Sequence, residues 1–188
     1  MSLVVTASQT VGPYLRIGFL PLLVDALAPA GTPGERITVR GNMVDGEGRV
    51  INDGVLEIWQ ADAQGRYAHP EDGGSGTVGK TFRGFGRILA DRDGAFQFTT
   101  IKPGPVAGPD GQRQAPHLVV TLFMRGMLTH LFTRMYFPGE PLNATDPVLQ
   151  RVPSDRRSTL VAATAAGKSV FEWNIVSQGP NETVFFDL

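Results

Sequence analysis

Residues 84–100 read GFGRILADRDGAFQFTT, and this stretch decides the fold. On each side of the DRDG segment at 91–94, apolar residues alternate with polar or small ones, as in half-buried strands. Asp and Gly are the residues that tight turns between strands use. The stretch therefore predicts a hairpin of two strands, at 86–90 and 95–100.

Similar alternation recurs along the chain, with turn residues about every ten to fifteen positions and no alternation of strands with helices. The pattern predicts an all-β fold, an antiparallel β-sandwich of about seven to eight strands with little helix. Helix is expected only at 19–28 and 146–151. We expect a single domain over 1–188, in which 1–16 form an extended N-terminal arm that contacts a partner. The further predicted strands lie at 37–44, 54–60, 117–124, 130–137, 171–175 and 182–187.

Composition excludes several classes of function. With 17 Lys and Arg against 18 Asp and Glu, the net charge of -1 argues against a nucleic-acid partner. The absence of cysteine excludes a disulfide framework, a thiolate metal site and a cysteine nucleophile. The N-terminus does not resemble a secretory signal, and no apolar run reaches membrane-spanning length. These features predict a cytoplasmic protein without a membrane partner.

Three places could carry chemistry. The turn at 60–67 presents Tyr67, the long loop at 99–117 ends at His117, and the N-terminal segment 8–14 is rich in polar and glycine residues. A loop as long as the second is often functional. From residue types alone, structural roles stay open: a packed tyrosine, a hydrogen-bonded histidine and an unattached terminus.

Five segments, taken in order, resemble the intradiol aromatic-ring dioxygenases, and among them the alpha-type chains of the two-chain enzymes. Each segment alone has little specificity, but the ordered set is specific and covers most of the chain. The segments are SQTVGPY (8–14), DGVLEIWQADAQGRY (53–67), GFGRILADRDGAFQFTTIKPGPV (84–106), APHLVVTLFMRGMLTHLFTRMYFPGE (115–140) and ETVFFD (182–187).

The resemblance implies a sandwich that, in catalytic chains, holds non-haem Fe(III) through two tyrosines and two histidines. Tyr67 matches the first tyrosine and His117 the first histidine, whereas Val106 and Val119 occupy the other two ligand positions. Gln114 stands where catalytic chains have an arginine. Because valine has no lone pair, the resemblance implies a relic site here and Fe(III) bound by an iron-bearing beta subunit.

The resemblance also implies that this chain completes the substrate pocket of its partner. The matching residues are Thr10, Gly12, Pro13, Tyr14 and Arg125, the last of which would pair with the carboxylate of protocatechuate. The implied reaction opens the ring between the two hydroxyl-bearing carbons with O2, gives 3-carboxy-cis,cis-muconate and belongs to the beta-ketoadipate route of aromatic catabolism. The implied assembly is a higher hetero-oligomer of alpha-beta pairs.

Two alternatives remain at this point. The chain could be a self-sufficient homo-oligomeric intradiol dioxygenase with a site rebuilt around Tyr67, His69, His117 and His130. It could instead be a non-enzymatic binding sandwich of the transthyretin kind.

Overall fold

Two β-sheets face each other across a common apolar core. The computed structural model describes residues 4–72, 82–108, 111–165, 167 and 169–187. Within these ranges seven strands have three or more residues and four have two, which confirms the all-β sandwich. The strands are β1 Arg36–Val44, β2 Val55–Trp59, β3 Phe85–Leu89, β4 Ala95–Ile101, β5 Val106–Ala107, β6 Arg113–Gln114, β7 His117–Phe123, β8 Leu131–Tyr136, β9 Ala163–Thr164, β10 Val170–Glu172 and β11 Ile175–Val176.

The first sheet is antiparallel and has the order β3-β2-β7-β8. Its inner face follows from the alternation in β7, where Leu118, Val120 and Leu122 are buried in the core and the residues between them face outward. The predicted hairpin of 117–124 with 130–137 is confirmed, because β7 and β8 pair in register from His117 opposite Tyr136 onward. The outer face of this sheet carries the candidate site.

The second sheet is built around β1. This strand pairs antiparallel with β4, and along its other edge it pairs in parallel with β10 and then with β11. The parallel pairing departs from the wholly antiparallel arrangement that we expected. The predicted strand at 171–175 is therefore two short strands, interrupted at Trp173 and Asn174, although its alternation of buried and exposed residues is as predicted.

The hairpin prediction for 86–90 and 95–100 is wrong in its pairing. Both strands form, but β3 pairs with β2 in the first sheet and β4 pairs with β1 in the second. The turn itself forms: the Asp91 amide donates to the Ala95 carbonyl over 2.9 Å, and the Asp91 carboxylate accepts the amide of Asp93. The turn thus carries the chain from one sheet to the other, which alternation within each strand cannot reveal.

The core lies between the two inner faces. Phe137, which follows β8, meets Phe171 of β10 edge to face with ring centroids 5.0 Å apart, so aromatic packing joins the sheets. Burial of each large apolar side chain contributes about 1.5–3 kcal/mol. The largest fully buried apolar side chains of the main core are Met43, Leu56, Ile58, Leu118, Leu122, Met135, Phe137 and Ile175.

The helices differ from the prediction. The helix expected at 19–28 is absent; α1 spans Pro13–Phe19 and a short 3-10 helix follows at Leu20–Leu22. Proline suits a first helical turn, which explains why helices begin at Pro13 and around Pro21. The second candidate, at 146–151, yields only the 3-10 helix Leu149–Arg151.

The arm also differs in its extent from the expected 1–16. Residues 4–12 are without regular secondary structure, whereas 13–16 belong to α1. Residues 1–3 of the predicted arm lie outside the described residues. In the part of the chain that the structure describes, no helix has the length and apolar character needed to cross a membrane.

Candidate functional site

The site begins with the turn that follows β2. Asp62 is buried, and its carboxylate accepts the amides of Gln64 and Arg66 over 2.9 and 3.0 Å and the Arg66 guanidinium over 2.7 Å. Gly65 has φ +81°, and a Cβ there would lie 2.0 Å from the Pro105 carbonyl oxygen. Only glycine fits, so the turn packs directly on the long loop.

This packing sets Tyr67 in the same pocket as Val106. The ring of Tyr67 stacks on Trp59 with centroids 6.0 Å apart and an interplanar angle of 4°. Val106 opens the small β5-β6 hairpin and lines the pocket on the other side. The tyrosine and the valine that were singled out in the sequence therefore lie together.

His117 lies at the start of β7 and is almost completely buried. Its Nδ1 is 2.7 Å from the Ala115 carbonyl oxygen, so Nδ1 carries the proton and donates to that oxygen. Its Nε2 is 3.5 Å from the Tyr67 hydroxyl, which then donates to the unprotonated nitrogen. The structure thus brings Tyr67 and His117 together, as their matched positions require.

Burial, helped by the Arg134 guanidinium, lowers the pKa of His117 to about 4 against the opposing effects of the Ala115 carbonyl and Asp146. Burial raises the pKa of Tyr67, and Arg134 partly offsets this effect. At neutral pH both groups are therefore uncharged. Neither is prepared to act as an acid or a base near pH 7.

The titration of His117 predicts acid sensitivity. The unfolded histidine binds a proton near its ordinary pKa and the folded one only near the lower value, so stability is full above about pH 6.5 and falls as the pH drops. At about pH 5 we expect the His117 contribution to have reduced the free energy of unfolding by about 2 kcal/mol. Urea unfolding at about pH 7.5 and pH 5 measures it. His117→Gln should reduce the difference in the free energy of unfolding between the two pH values, whereas the exposed His69→Gln should leave that difference unchanged. An equal pH dependence in the unaltered chain and in both variants would contradict the assignment.

Arg134 is the site residue that sequence reasoning missed. It lies in β8 directly opposite Val119. Its Nη1 donates to Gln114 Oε1 over 2.6 Å and to the Tyr136 hydroxyl over 3.5 Å. The signal was present in the sequence: one arginine inside the otherwise apolar or uncharged strand LFTRMY.

Behind Arg134 lies a buried anchor. Asp146 is fully buried, and its carboxylate accepts the Tyr136 hydroxyl over 3.1 Å and the Ala115 amide over 2.7 Å. The same carboxylate accepts the amides of Val148 and Leu149. The Asp146 carboxylate thereby fixes the ring of Tyr136, which lies opposite His117, and the segment that leads into β7.

Together these elements form an open pocket of about 990 Å³ on the outer face of the first sheet. Its described lining includes three guanidinium groups, those of Arg66, Arg113 and Arg134, and a single carboxylate, that of Asp72. Aromatic rings of Trp59 and Tyr67 form one wall. The pocket can hold a small molecule.

The residues of this pocket do not fit a ferric ion. Iron(III) needs several hard or imidazole donors, and only Tyr67 and His117 are present at the four matched positions. Val106 lines the pocket, and Val119 lies two residues along β7 on the same sheet face as His117. Among the described residues, no group of three or more His, Cys, Asp or Glu side chains could hold a metal ion.

The set proposed for a rebuilt catalytic site is only partly assembled. His69 lines the pocket with Tyr67. His130 lies at the opposite end of the β7-β8 hairpin, where its ring meets Phe123 and Phe132 with centroids 5.6 and 4.5 Å away. The structure therefore leaves that alternative without its fourth donor.

The arm lies beside the hairpin turn that carries Arg125. The Gly126 amide donates to the Thr10 hydroxyl over 2.8 Å. Arg125 is two-thirds exposed and forms an ion pair with Asp53. Gly12 is the N-cap of α1, Pro13 begins the helix, and the ring of Tyr14 is 84% exposed. Thr10, Gly12, Pro13, Tyr14 and Arg125 thus occupy one exposed region, away from the pocket around Tyr67.

Comparison with known proteins agrees with this architecture. The dioxygenase family model Dioxygenase_C matches residues 24–179. The protocatechuate 3,4-dioxygenase alpha chain of Burkholderia cepacia is 41% identical, with 97% of each chain covered, and that of Pseudomonas putida is 39% identical over 97% of this chain and 96% of its own. The Burkholderia cepacia protocatechuate 3,4-dioxygenase beta chain is 36% identical over 80% of this chain and 67% of its own.

Solved structures show the same fold. The dioxygenase domain of a dioxygenase carbohydrate-binding protein fusion from Streptomyces sp. SirexAA-E has a TM-score of 0.64 and 27% identity, and the match covers 84% of this chain and 89% of that one. Catechol 1,2-dioxygenase from Acinetobacter sp. ADP1 has a TM-score of 0.65 at 18% identity over 80% of this chain and 55% of its own, a likeness of fold alone. The matched family model, the alpha-chain identity and the shared sandwich together show that this chain belongs to the intradiol ring-cleavage dioxygenase family.

Proposed function

We propose that this chain is the non-iron-binding subunit of a two-chain protocatechuate 3,4-dioxygenase. A beta subunit binds Fe(III), and this chain completes the substrate pocket of that subunit. The complex adds both atoms of O2 to protocatechuate, opens the ring between the hydroxyl-bearing carbons and releases 3-carboxy-cis,cis-muconate. The whole chain acts as one domain, in the cytoplasm, within a higher assembly of alpha-beta pairs.

The observation that carries the proposal is the composition of the pocket around Tyr67. Two donors meet there, and aliphatic side chains occupy the places of the other two, so the chain lacks a coordination set for iron(III). An intradiol dioxygenase without that set needs the metal of another polypeptide. Matches to alpha chains and to a beta chain of the same named enzyme support a related partner of that kind.

The exposed apolar surface of the N-terminal region supports a partner contact. Val4 and Val5 are more than nine-tenths exposed, and α1 adds Tyr14 and Ile17, which are more than half exposed. Leu20, which follows α1, is also more than half exposed. So much apolar area at one place is typical of a surface that another chain covers.

Arg125 is suited to recognise the substrate carboxylate. Its guanidinium is exposed, and its ion pair with Asp53 lies at the surface, where such pairs contribute little. A bound carboxylate shielded by a partner would form stronger charge-assisted hydrogen bonds. The Thr10 hydroxyl, bonded to the Gly126 amide, holds the arm next to this arginine.

The proposal is tested by expressing the full chain alone and together with an iron-bearing protocatechuate 3,4-dioxygenase beta chain. Purified alone, the chain should bind less than about one-tenth of an equivalent of iron and consume no O2 with protocatechuate. The co-purified pair should contain stoichiometric iron and consume O2. An isolated chain that retains stoichiometric iron and opens catechol rings would disprove the proposal.

Arg125→Ala in the pair should raise the Michaelis constant for protocatechuate roughly tenfold or more, because a charge-assisted hydrogen bond to the carboxylate is lost. Iron content should stay unchanged, since the arginine is not a ligand. Catechol, which lacks the carboxylate, should be handled equally by both proteins. The matched control is Arg49→Ala, an exposed arginine that is ion-paired with Glu47. A Michaelis constant that is unchanged in Arg125→Ala would contradict the role.

A further inference from the structure

The pocket around Tyr67 has features that its lack of iron ligands does not explain. It is open, its volume of about 990 Å³ is in the range of small-molecule sites, and cationic side chains dominate its charged lining. We propose that this pocket is a metal-free binding site for a small aromatic carboxylate, with Arg134 as the cation that receives the carboxylate.

Among the described residues, no carboxylate is hydrogen-bonded or ion-paired to the Arg134 guanidinium. Its bonded partners are neutral, the Gln114 amide oxygen at 2.6 Å and the Tyr136 hydroxyl at 3.5 Å. Asp146 lies behind that hydroxyl and binds it from the far side. Of the five N–H donors of a guanidinium, the bonds to described residues engage only the Nη1 end, so the other edge can receive an anion in the bidentate manner that guanidinium favours.

The neighbouring charges strengthen this site. Arg66 is held by the Asp62 carboxylate and therefore contributes little net charge. The Arg113 side chain is exposed and, within the described part of the chain, forms no hydrogen bond or ion pair. Asp72 is the only carboxylate in the described lining, so that lining has a net positive charge. The lowering effect of Arg134 on the pKa of His117 and of Tyr67 shows that its charge reaches both.

The second requirement, an apolar surface for a ring, is met beside the arginine. Trp59 and Tyr67 stack with nearly parallel planes, and both line the pocket. Val106 lines the pocket with them and adds apolar surface, which a bound ring can cover without desolvating a polar group. A planar ring that carries one carboxylate uses both the wall and the guanidinium, whereas an inorganic anion uses only the latter.

The site is independent of the proposed role in a two-chain enzyme, because it uses only residues of this chain that lie away from the arm and Arg125. It is tested on the isolated full chain by isothermal titration calorimetry. Sodium benzoate is the probe, with sodium acetate and phenol as the charge-only and ring-only comparisons. We expect saturable 1:1 binding of benzoate with a dissociation constant of about 1 mM or lower, and at least roughly tenfold weaker binding of acetate and of phenol.

Three variants locate the site. Arg134→Gln should weaken benzoate binding roughly tenfold or more, because it removes the charge but keeps a polar side chain of similar reach. Arg113→Gln, which removes an exposed side chain without described contacts and therefore keeps the fold, should weaken binding roughly threefold through the loss of a nearby charge. Arg49→Gln, far from the pocket, should bind as the unaltered chain does. Circular dichroism checks that each variant is folded.

The proposal is overturned if benzoate shows no saturable binding up to roughly 20 mM. It is equally overturned if acetate binds as well as benzoate, or if both pocket variants bind benzoate with unchanged affinity. Because no iron and no partner chain is present in this titration, its outcome does not depend on the test of the two-chain enzyme.

Discussion

Asp146→Ala is expected to reduce the free energy of unfolding by about 3–5 kcal/mol, because four donors lose one buried acceptor group at once. The carboxylate is fully buried and accepts the Tyr136 hydroxyl and three backbone amides, those of Ala115, Val148 and Leu149. Each buried donor left unsatisfied costs about 1–3 kcal/mol, which the relief of burying a charge only partly offsets. Urea unfolding at neutral pH measures the loss.

Asp155→Ala is the matched control for this prediction. Asp155 is exposed and lies in the same part of the chain, so its loss should change stability by less than about 0.5 kcal/mol. Asp146→Asn, which retains one oxygen acceptor, should have a free energy of unfolding between those of the two alanine variants. If Asp146→Ala and Asp155→Ala unfold at the same urea concentration, Asp146 is not the anchor described above.

Gly41→Ala is expected to cost about 3 kcal/mol through overpacking. A Cβ at this position of β1 would lie 1.8 Å from the Trp173 carbonyl oxygen and 2.9 Å from the ring of Phe96. Neither neighbour can retreat easily: the Trp173 amide donates to the Arg40 carbonyl, and its indole donates to the Thr159 carbonyl over 3.0 Å. Thermal or urea unfolding of the isolated chain measures the effect.

Gly18→Ala serves as the comparison because the same methyl group meets open space there. Gly18 lies in α1, and a Cβ would find nothing within 4 Å. Alanine is the better helix former by about 1 kcal/mol, so this variant should be unchanged or slightly more stable. Equal destabilisation by both substitutions would show that the approach of Trp173 to β1 is not what requires glycine.

The sandwich could be predicted from alternation alone, but the pairing of its strands could not. Strands at 86–90 and 95–100 and the turn between them form as expected, yet they belong to different sheets. Alternation determines which side chains are buried, and it is silent about which neighbour a strand bonds to. The hairpin of β7 and β8 was predicted correctly because these two strands follow each other along the chain and also pair within one sheet.

The division between β10 and β11 has a similar cause. Phe171, Trp173 and Ile175 are buried in alternation, as one continuous strand would require. The close approach of the Trp173 carbonyl to Gly41 interrupts the ladder, and the Asn174 side chain accepts the Asn42 amide instead. The register is the same on both sides of the interruption, Arg40 opposite Glu172 and Met43 opposite Ile175. Such an interruption depends on contacts between distant residues, which local sequence does not contain.

At the site, the resemblance to the family predicted that Tyr67 and His117 lie together, whereas residue types alone did not predict it. The two positions are 50 residues apart, and only the folded turn and loop bring their polar atoms within 3.5 Å. Arg134 was missed because the resemblance gives it no role, although the matched segment 115–140 contains it. An isolated charge in a strand whose neighbours are buried is the signal that would have found it, since such a charge needs a polar partner or a ligand.

The parallel pairing of β1 has a consequence for how the protein is made. Arg40 and Glu172, which pair across β1 and β10, are 132 positions apart. During translation one edge of β1 therefore stays open until residues 170–176 have been synthesised, and contacts of such long sequence separation form slowly. An open strand edge readily pairs with other chains, so newly synthesised molecules are most prone to aggregate in the interval before β10 and β11 emerge.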